Sequence, residues 1–155
     1  MLQSYNVFFS YASFITYFLV KKLKLPFCVI GIKRSMIPYL LVFLGGGLGS
    51  IARFGIAHAL SPWQKHFPYA TLAANLLSCL LLGYLVALSL RGSISDQSKW
   101  LLMAGFCGGF STFSTFSNET FSLLESGQYA LALLNVGGSL LLGLICLYLG
   151  IRLGL

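Results

Sequence analysis

The chain has 155 residues, of which 57% are hydrophobic and only 8% are charged, and its formal net charge is +7. This composition excludes an ordinary soluble domain, in which about 25% of the residues are charged. The basic residues are scattered at the ends of apolar segments, which disfavours a nucleic-acid-binding protein and indicates topology signals of a multi-pass membrane protein.

The N-terminal 35 residues contain an aromatic-rich apolar run from Ser4 to Val20, followed by a cluster of lysines. At about 17 residues the run is at the short limit for a membrane span. The positive charges follow the run instead of preceding it, which disfavours a cleaved secretory signal. The sequence leaves three alternatives open for this run: a fifth helix, an interfacial helix or a leader. We favour residues 1–35 as an extension upstream of a functional start at Met36.

From Met36 onward, apolar segments predict about four membrane spans of roughly 20 residues each. A proline-bounded loop separates the first span from the second, and the loop of residues 91–99 separates the second from the third. Lysine and arginine are only weakly biased between the two sides, so this part of the chain is compatible with insertion in both orientations. The predicted spans of this all-α membrane protein are Ile37 to Ala59, Tyr69 to Leu90, Trp100 to about Leu124, and Tyr129 to about Leu149.

Small and polar residues fall at helical spacing within these spans, and each stripe is either a helix contact face or a pore wall. Pairs of small residues four apart favour close helix packing. Asn75 differs, because an amide in the middle of a span must find hydrogen-bond partners. The stripes are Thr71, Asn75, Cys79 and Gly83 in the second span and Asn135, Ser139 and Gly143 in the fourth; the small pairs are Gly45 with Gly49, Cys79 with Gly83, and Ser139 with Gly143.

The third span is interrupted by a glycine and hydroxyl-rich segment, residues 105–119. Such a break is tolerated at membrane depth only where it faces protein or a water-filled path. Phe113, Phe116 and Glu119 are three apart and share a face, and the positive edge of a phenyl ring attracts an anion. Backbone carbonyls freed around Gly108 to Ser111 suit a small cation. The alternative is that the phenylalanines are ordinary core residues and the hydroxyls cap the backbone.

These residues resemble the CrcB or Fluc fluoride channel family, in order and spacing, from Met36 to Leu155. The third-span motif is the most specific part of the resemblance. The matching residues are Gly45-x-x-x-Gly49 followed by Arg53, then Thr71-Leu72-x-x-Asn75, then Gly105-Phe106-Cys107-Gly108-Gly109-x-Ser111-Thr112-Phe113-Ser114-Thr115-Phe116-Ser117-x-Glu119, and finally Ser139 with Gly143.

The resemblance implies a fluoride channel domain of four transmembrane helices, residues 36–155, that forms an antiparallel dual-topology homodimer and exports fluoride passively. It implies that Phe113 and Phe116 point ring edges at the ion and that Asn75 and Ser139 add polar contacts. Further expected contributors to the pore are Thr71, Thr112, Thr115 and Glu119, with Arg53 at the vestibule. The carbonyls of Gly108 and Ser111, from both subunits, would hold a structural sodium ion.

Other classes of function explain less of the sequence. A proton-coupled exporter of the small-multidrug-resistance type also has four helices, but Glu119 is the only candidate for its coupling carboxylate. An intramembrane hydrolase would have to pair Ser111 with His58 or His66, without a matched base and orienting acid, so we expect no enzyme. A structural membrane subunit would leave the broken span unexplained. The cysteines show no metal-binding spacing.

Overall fold

A computed structural model of the protein describes residues 36–63 and 67–155, and these residues form helices and short connections without a β-strand. The predictions for residues 1–35, and for His66, lie outside the described residues. In chain order the helices are α1 (Ile37–Leu60), α2 (Tyr69–Leu90), α3 (residues 96–110), α4 (Phe113–Glu125) and α5 (Tyr129–Gly154), with one 3₁₀ turn at Ser61–Trp63 after α1.

Three helical segments of the described chain are long and apolar enough to cross a membrane: Ile37–Trp63, Tyr69–Leu90 and Tyr129–Gly154. The all-α prediction is confirmed for the described residues, and three of their helices are suited to crossing a membrane. The predicted third span is not one continuous helix, because the chain leaves the helical conformation between α3 and α4. The number of spans is therefore still a prediction, with α3 and α4 as the two halves of the remaining one.

Helix α3 changes its winding along its length. It begins with one α-helical turn, Asp96–Ser98, where the Ser95 hydroxyl accepts a hydrogen bond from the Ser98 N–H at 3.2 Å. It continues as a wider π-helix, Lys99–Cys107, and ends with the α-helical turn Gly108–Phe110. Long π-helical stretches are rare, and π-type turns are frequent at functional sites. The sequence predicted the interruption of this span but not its wide first half.

Glycines set the closest helix contacts. A Cβ atom on Gly45 or Gly49 would collide with backbone of α3, at the carbonyl oxygens of Leu101 and Phe106 respectively. A Cβ atom on Gly83 of α2 would likewise collide with the carbonyl oxygen of Leu147 on α5. Small residues let the backbones of membrane helices approach closely. The packing interpretation is thus confirmed for these glycines, and α1 with α3 and α2 with α5 are the closely packed pairs.

We expect Gly49→Ala to destabilise the fold by about 1–3 kcal/mol, because the added methyl group must push α1 away from α3. The matched control is Gly47→Ala on the same helix, where a Cβ atom would meet nothing within 4 Å. Thermal unfolding of the purified protein in detergent measures both changes. Equal unfolding temperatures for the two variants would contradict the assigned α1–α3 contact.

Candidate functional site

The break between α3 and α4 lies at Ser111 and Thr112. Both residues are extended, with φ/ψ of −76°/156° for Ser111 and −147°/116° for Thr112. Thr112 caps α4, since its Oγ1 accepts a hydrogen bond from the Thr115 N–H at 3.3 Å. Gly108 and Gly109 are helical, so the break follows the glycines and does not include them. The predicted interruption is present, displaced toward the hydroxyl residues.

Side chains of α2 hold this break in place. Asn75 Oδ1 accepts a hydrogen bond from the Thr112 N–H at 2.9 Å, which supplies the partner expected for its amide. Ser78 Oγ donates to the Cys107 carbonyl at 3.1 Å, and Ser111 Oγ donates to the same carbonyl at 3.0 Å. Ser78 was not among the predicted site residues. The end of α3 and the start of α4 are therefore both fixed by polar groups of α2.

A cavity of about 400 Å³ lies beside the break. It brings together the predicted pore residues Asn75, Thr112, Phe113, Phe116 and Ser139, with the remaining wall formed by Cys79, Ser111, Val136 and Leu140. The rings of Phe113 and Phe116 are 6.2 Å apart between centroids and inclined by 38°. Ser139 Oγ is buried and has no hydrogen-bond partner within the described residues. The cavity thus combines aromatic rings with an unsatisfied hydroxyl.

A second, smaller cavity of about 70 Å³ is lined by the remaining predicted pore residues and by the predicted vestibule residue, Arg53. Thr71 Oγ1 donates to Glu119 Oε1 at 2.7 Å, whereas Glu119 Oε2 is buried without a partner in the described part of the chain. Thr112 lines both cavities and donates through Oγ1 to Thr115 Oγ1 at 3.1 Å. The lining residues are Arg53, Ala57, Ala70, Thr71, Thr112, Thr115 and Glu119. Hydroxyl groups therefore run from one cavity to the next.

Arg53 contacts the end of α3. Its Nε donates to the Gly109 carbonyl at 3.4 Å, and Ser50 Oγ approaches the same oxygen at 3.4 Å. The last carbonyls of a helix carry partial negative charge, so a guanidinium is favourable there. This contact orients Arg53 along the smaller cavity, in addition to any reach toward lipid headgroups.

The carbonyls of Gly108 and Ser111 lack their regular helical partners. The N–H group of Thr112, four residues after Gly108, donates to Asn75 instead. The N–H group of Thr115, four residues after Ser111, donates to the Thr112 side chain. Residues 36–63 and 67–155 contain no cluster of three or more His, Cys, Asp or Glu side chains that suits a metal. Backbone carbonyl oxygens are hard ligands of the kind that a small cation prefers.

Comparison with known proteins places the chain among relatives. The family model described as "CrcB-like protein, Camphor Resistance (CrcB)" matches residues 40–151. A protein of Pyrococcus abyssi named "Fluoride-specific ion channel FluC" is 47% identical over 112 residues, covering 72% of this chain and 90% of that protein. A protein of Thermus thermophilus with the same name is 46% identical over 117 residues, covering 75% of this chain and 92% of that protein. The chain therefore belongs to the CrcB-like family, as its motifs predicted.

Proposed function

We propose that this protein is a fluoride-selective ion channel of the cell inner (plasma) membrane, which lets cytoplasmic fluoride leave passively and so reduces fluoride toxicity. The observation that carries the proposal is the larger cavity, which is lined by Phe113, by Phe116 and by Ser139, whose hydroxyl has no hydrogen-bond partner within the described residues. The relatives named as fluoride-specific channels also support the proposal, because their similarity to this chain covers most of their length.

The chemistry of this cavity suits a small, strongly hydrated anion. Such an ion needs compact donors to replace its water shell, and it must leave as readily as it enters. The Ser139 hydroxyl offers a compact donor, and the phenyl edges offer weak positive potential without a full charge. Among the described residues no lysine or arginine lines the cavity, so no full positive charge from them would trap the ion. Moderate, multi-site binding of this kind favours fast passage.

The smaller cavity extends the polar path toward Arg53. We place the hydroxyls of Thr71, Thr112 and Thr115 along this extension, with Glu119 orienting the hydroxyl of Thr71 through their 2.7 Å hydrogen bond. Arg53 lines the same cavity, and its positive charge raises the local concentration of anions. In this arrangement Arg53 attracts anions and Glu119 orients the hydroxyl of Thr71. Beside the aromatic rings, only neutral groups contact the ion.

A second copy of the chain completes the pore in this proposal. Phe113 is 82% exposed in one chain, which leaves a predicted pore wall uncovered. Gly137 and Gly138 on α5 form an adjacent pair where a Cβ atom would meet nothing within 4 Å, so another helix can approach closely there. An antiparallel homodimer, allowed by the weak charge bias from Met36 onward, would cover these surfaces.

A structural sodium ion would join the two copies. Gly108 and Ser111 would each contribute a carbonyl oxygen, and their equivalents in the second copy would double this set. Their regular helical N–H partners are engaged elsewhere, which leaves these oxygens free to bind a cation. Nothing lies within 4 Å of a Cβ atom built on Gly108, so that side of α3 is open to a partner.

We expect removal of sodium to weaken the dimer. Protein exchanged into choline buffer should show a dimer fraction several-fold lower than protein in sodium buffer, because a bound ion stabilises only the state that binds it. Mass photometry at matched ionic strength measures the two fractions. The same dimer fraction in sodium and in choline would count against a structural role of the ion.

The function is tested by growth of a fluoride-sensitive bacterial strain that expresses the chain with or without residues 1–35. We expect growth on fluoride to be restored by both forms, while sensitivity to toxic organic cations stays unchanged. Protection against organic cations without protection against fluoride would instead support a proton-coupled exporter of the small-multidrug-resistance type and overturn the proposal.

A further inference from the structure

Asn135 of α5 is a buried amide outside the predicted site. It is 1% exposed and is the largest fully buried side chain among the described residues. Its Nδ2 donates to Thr120 Oγ1 at 2.9 Å, and Thr120 Oγ1 donates in turn to the Phe116 carbonyl at 2.8 Å. A short chain of hydrogen bonds therefore runs from α5 to the backbone of a residue that lines the larger cavity.

This chain of hydrogen bonds is one of the polar links that hold α4. The start of the helix is held by Asn75, and Thr71 holds Glu119; both come from α2. The bond from Asn135 ties the same helix to α5. Inside a membrane protein such bonds have few competing partners, so they fix the relative position of two helices.

The position of Asn135 shows what its bond controls. Ser139 lies four residues after Asn135, one turn further along the same stripe of α5. Phe116 lies four residues before Thr120 on α4. The bond between Asn135 and Thr120 thus joins the two helices one turn away from Ser139 and Phe116, which line the same cavity. Asn135 itself does not line that cavity.

We propose that Asn135 is a positioning residue, which acts through Thr120 to set the placement of Phe116 relative to Ser139 and thereby the selectivity of the path. The proposal rests on the proposed channel function for its effect on flux. Its structural part, the placement of Phe116, stands on the hydrogen bonds alone.

The variants that test it are Asn135→Leu and Thr120→Val, singly and together. Thr120→Val keeps the shape of the side chain and removes the hydroxyl that accepts from Asn135 and donates to Phe116. Thr120→Ser restores a hydroxyl at the same position. A matched control is Ser122→Ala, because the exposed Ser122 hydroxyl bonds, among the described residues, only to the Asn118 carbonyl of its own helix.

We expect each single variant to lower fluoride flux on the order of tenfold and to lower the fluoride-to-chloride ratio. The double variant should lose no more than either single variant, because both changes break one connection. Thr120→Ser should recover most of the flux, and Ser122→Ala should resemble the unchanged protein. Loss of flux in Asn135→Leu with full flux in Thr120→Val would overturn a role through Thr120.

A second measurement follows Phe116 directly. The ¹⁹F resonance of 4-fluorophenylalanine placed at position 116 should be single in the unchanged protein and in Thr120→Ser, and shifted or multiple in Thr120→Val. An unchanged resonance and unchanged flux in Thr120→Val overturn the positioning role and leave the channel proposal intact. If the unchanged protein carries no fluoride, the channel proposal fails, and the resonance still decides whether Thr120 positions Phe116.

Discussion

Replacing Phe116 by isoleucine should lower fluoride flux by about tenfold, with Phe113→Ile having a similar effect. Each ring lines the larger cavity, and their centroids are 6.2 Å apart. Isoleucine fills much of the same space but has no ring edge to attract an anion, and we take this edge contact to be comparable to a favourable aromatic pair, about 1.5 kcal/mol. A loss of about 1.4 kcal/mol of stabilisation at the barrier corresponds to a tenfold change in rate.

Phe121→Ile provides the matched control for this prediction. Phe121 is on α4 as well, is 58% exposed and does not line either cavity. We expect it to leave flux unchanged, and all three variants to show the same dimer fraction by mass photometry. Unchanged flux in both Phe113→Ile and Phe116→Ile would remove the rings from the path of the ion.

Asn75→Asp should abolish most of the fluoride flux while preserving the fold. The aspartate keeps an oxygen at the position that accepts from the Thr112 N–H, so the break between α3 and α4 is retained. It also places a negative charge in the wall of the larger cavity, where fixed charges are poorly screened. Repulsion of the permeating anion should reduce flux on the order of a hundredfold, since about 2.7 kcal/mol of added barrier has that effect.

The comparison for this variant is Asn118→Asp. It makes the same amide-to-carboxylate change on the exposed surface of α4, away from the cavities. Flux from liposomes with equal protein content should fall for Asn75→Asp and persist for Asn118→Asp. Normal flux in Asn75→Asp would show that the stripe of α2 is a packing face and not a pore wall.

The uninterrupted helices were predictable because their ends carry local signals. The predicted second span, Tyr69 to Leu90, coincides with α2, which follows Pro68 and ends before Arg91. The fourth span was predicted to end near Leu149, but α5 continues to Gly154. Arg152 is accommodated there because its Nε donates to the Tyr148 hydroxyl at 2.9 Å and its charge lies near the helix C-terminus.

The sequence predicted that the third span is interrupted, but it did not predict the residue at which the break occurs. The glycines indicated a break, yet Gly109 is helical and packs closely against the Gly46 backbone of α1. The break occurs two residues later, where Asn75 of α2 supplies the partner for the Thr112 N–H. A tertiary contact therefore decides the position, and spacing along the sequence does not contain that information.

The site residues differ in how well the sequence pointed to them. The third-span motif and the stripe of α2 identified the residues that meet at the larger cavity. Asn135 was recognised only as a member of a stripe, because its importance depends on Thr120, a residue of another helix. Ser78 was missed because an isolated serine in a span gives no sign of the carbonyl it will bind, here that of Cys107.

Ion efflux from liposomes tests the central claim most directly. Purified protein is reconstituted into vesicles loaded with potassium fluoride or potassium chloride, and a potassium ionophore is added while an ion-selective electrode follows the external anion. We predict rapid loss of fluoride and no loss of chloride. Retention of fluoride by protein shown to be folded and dimeric, or equal loss of both anions, would contradict a fluoride-selective channel.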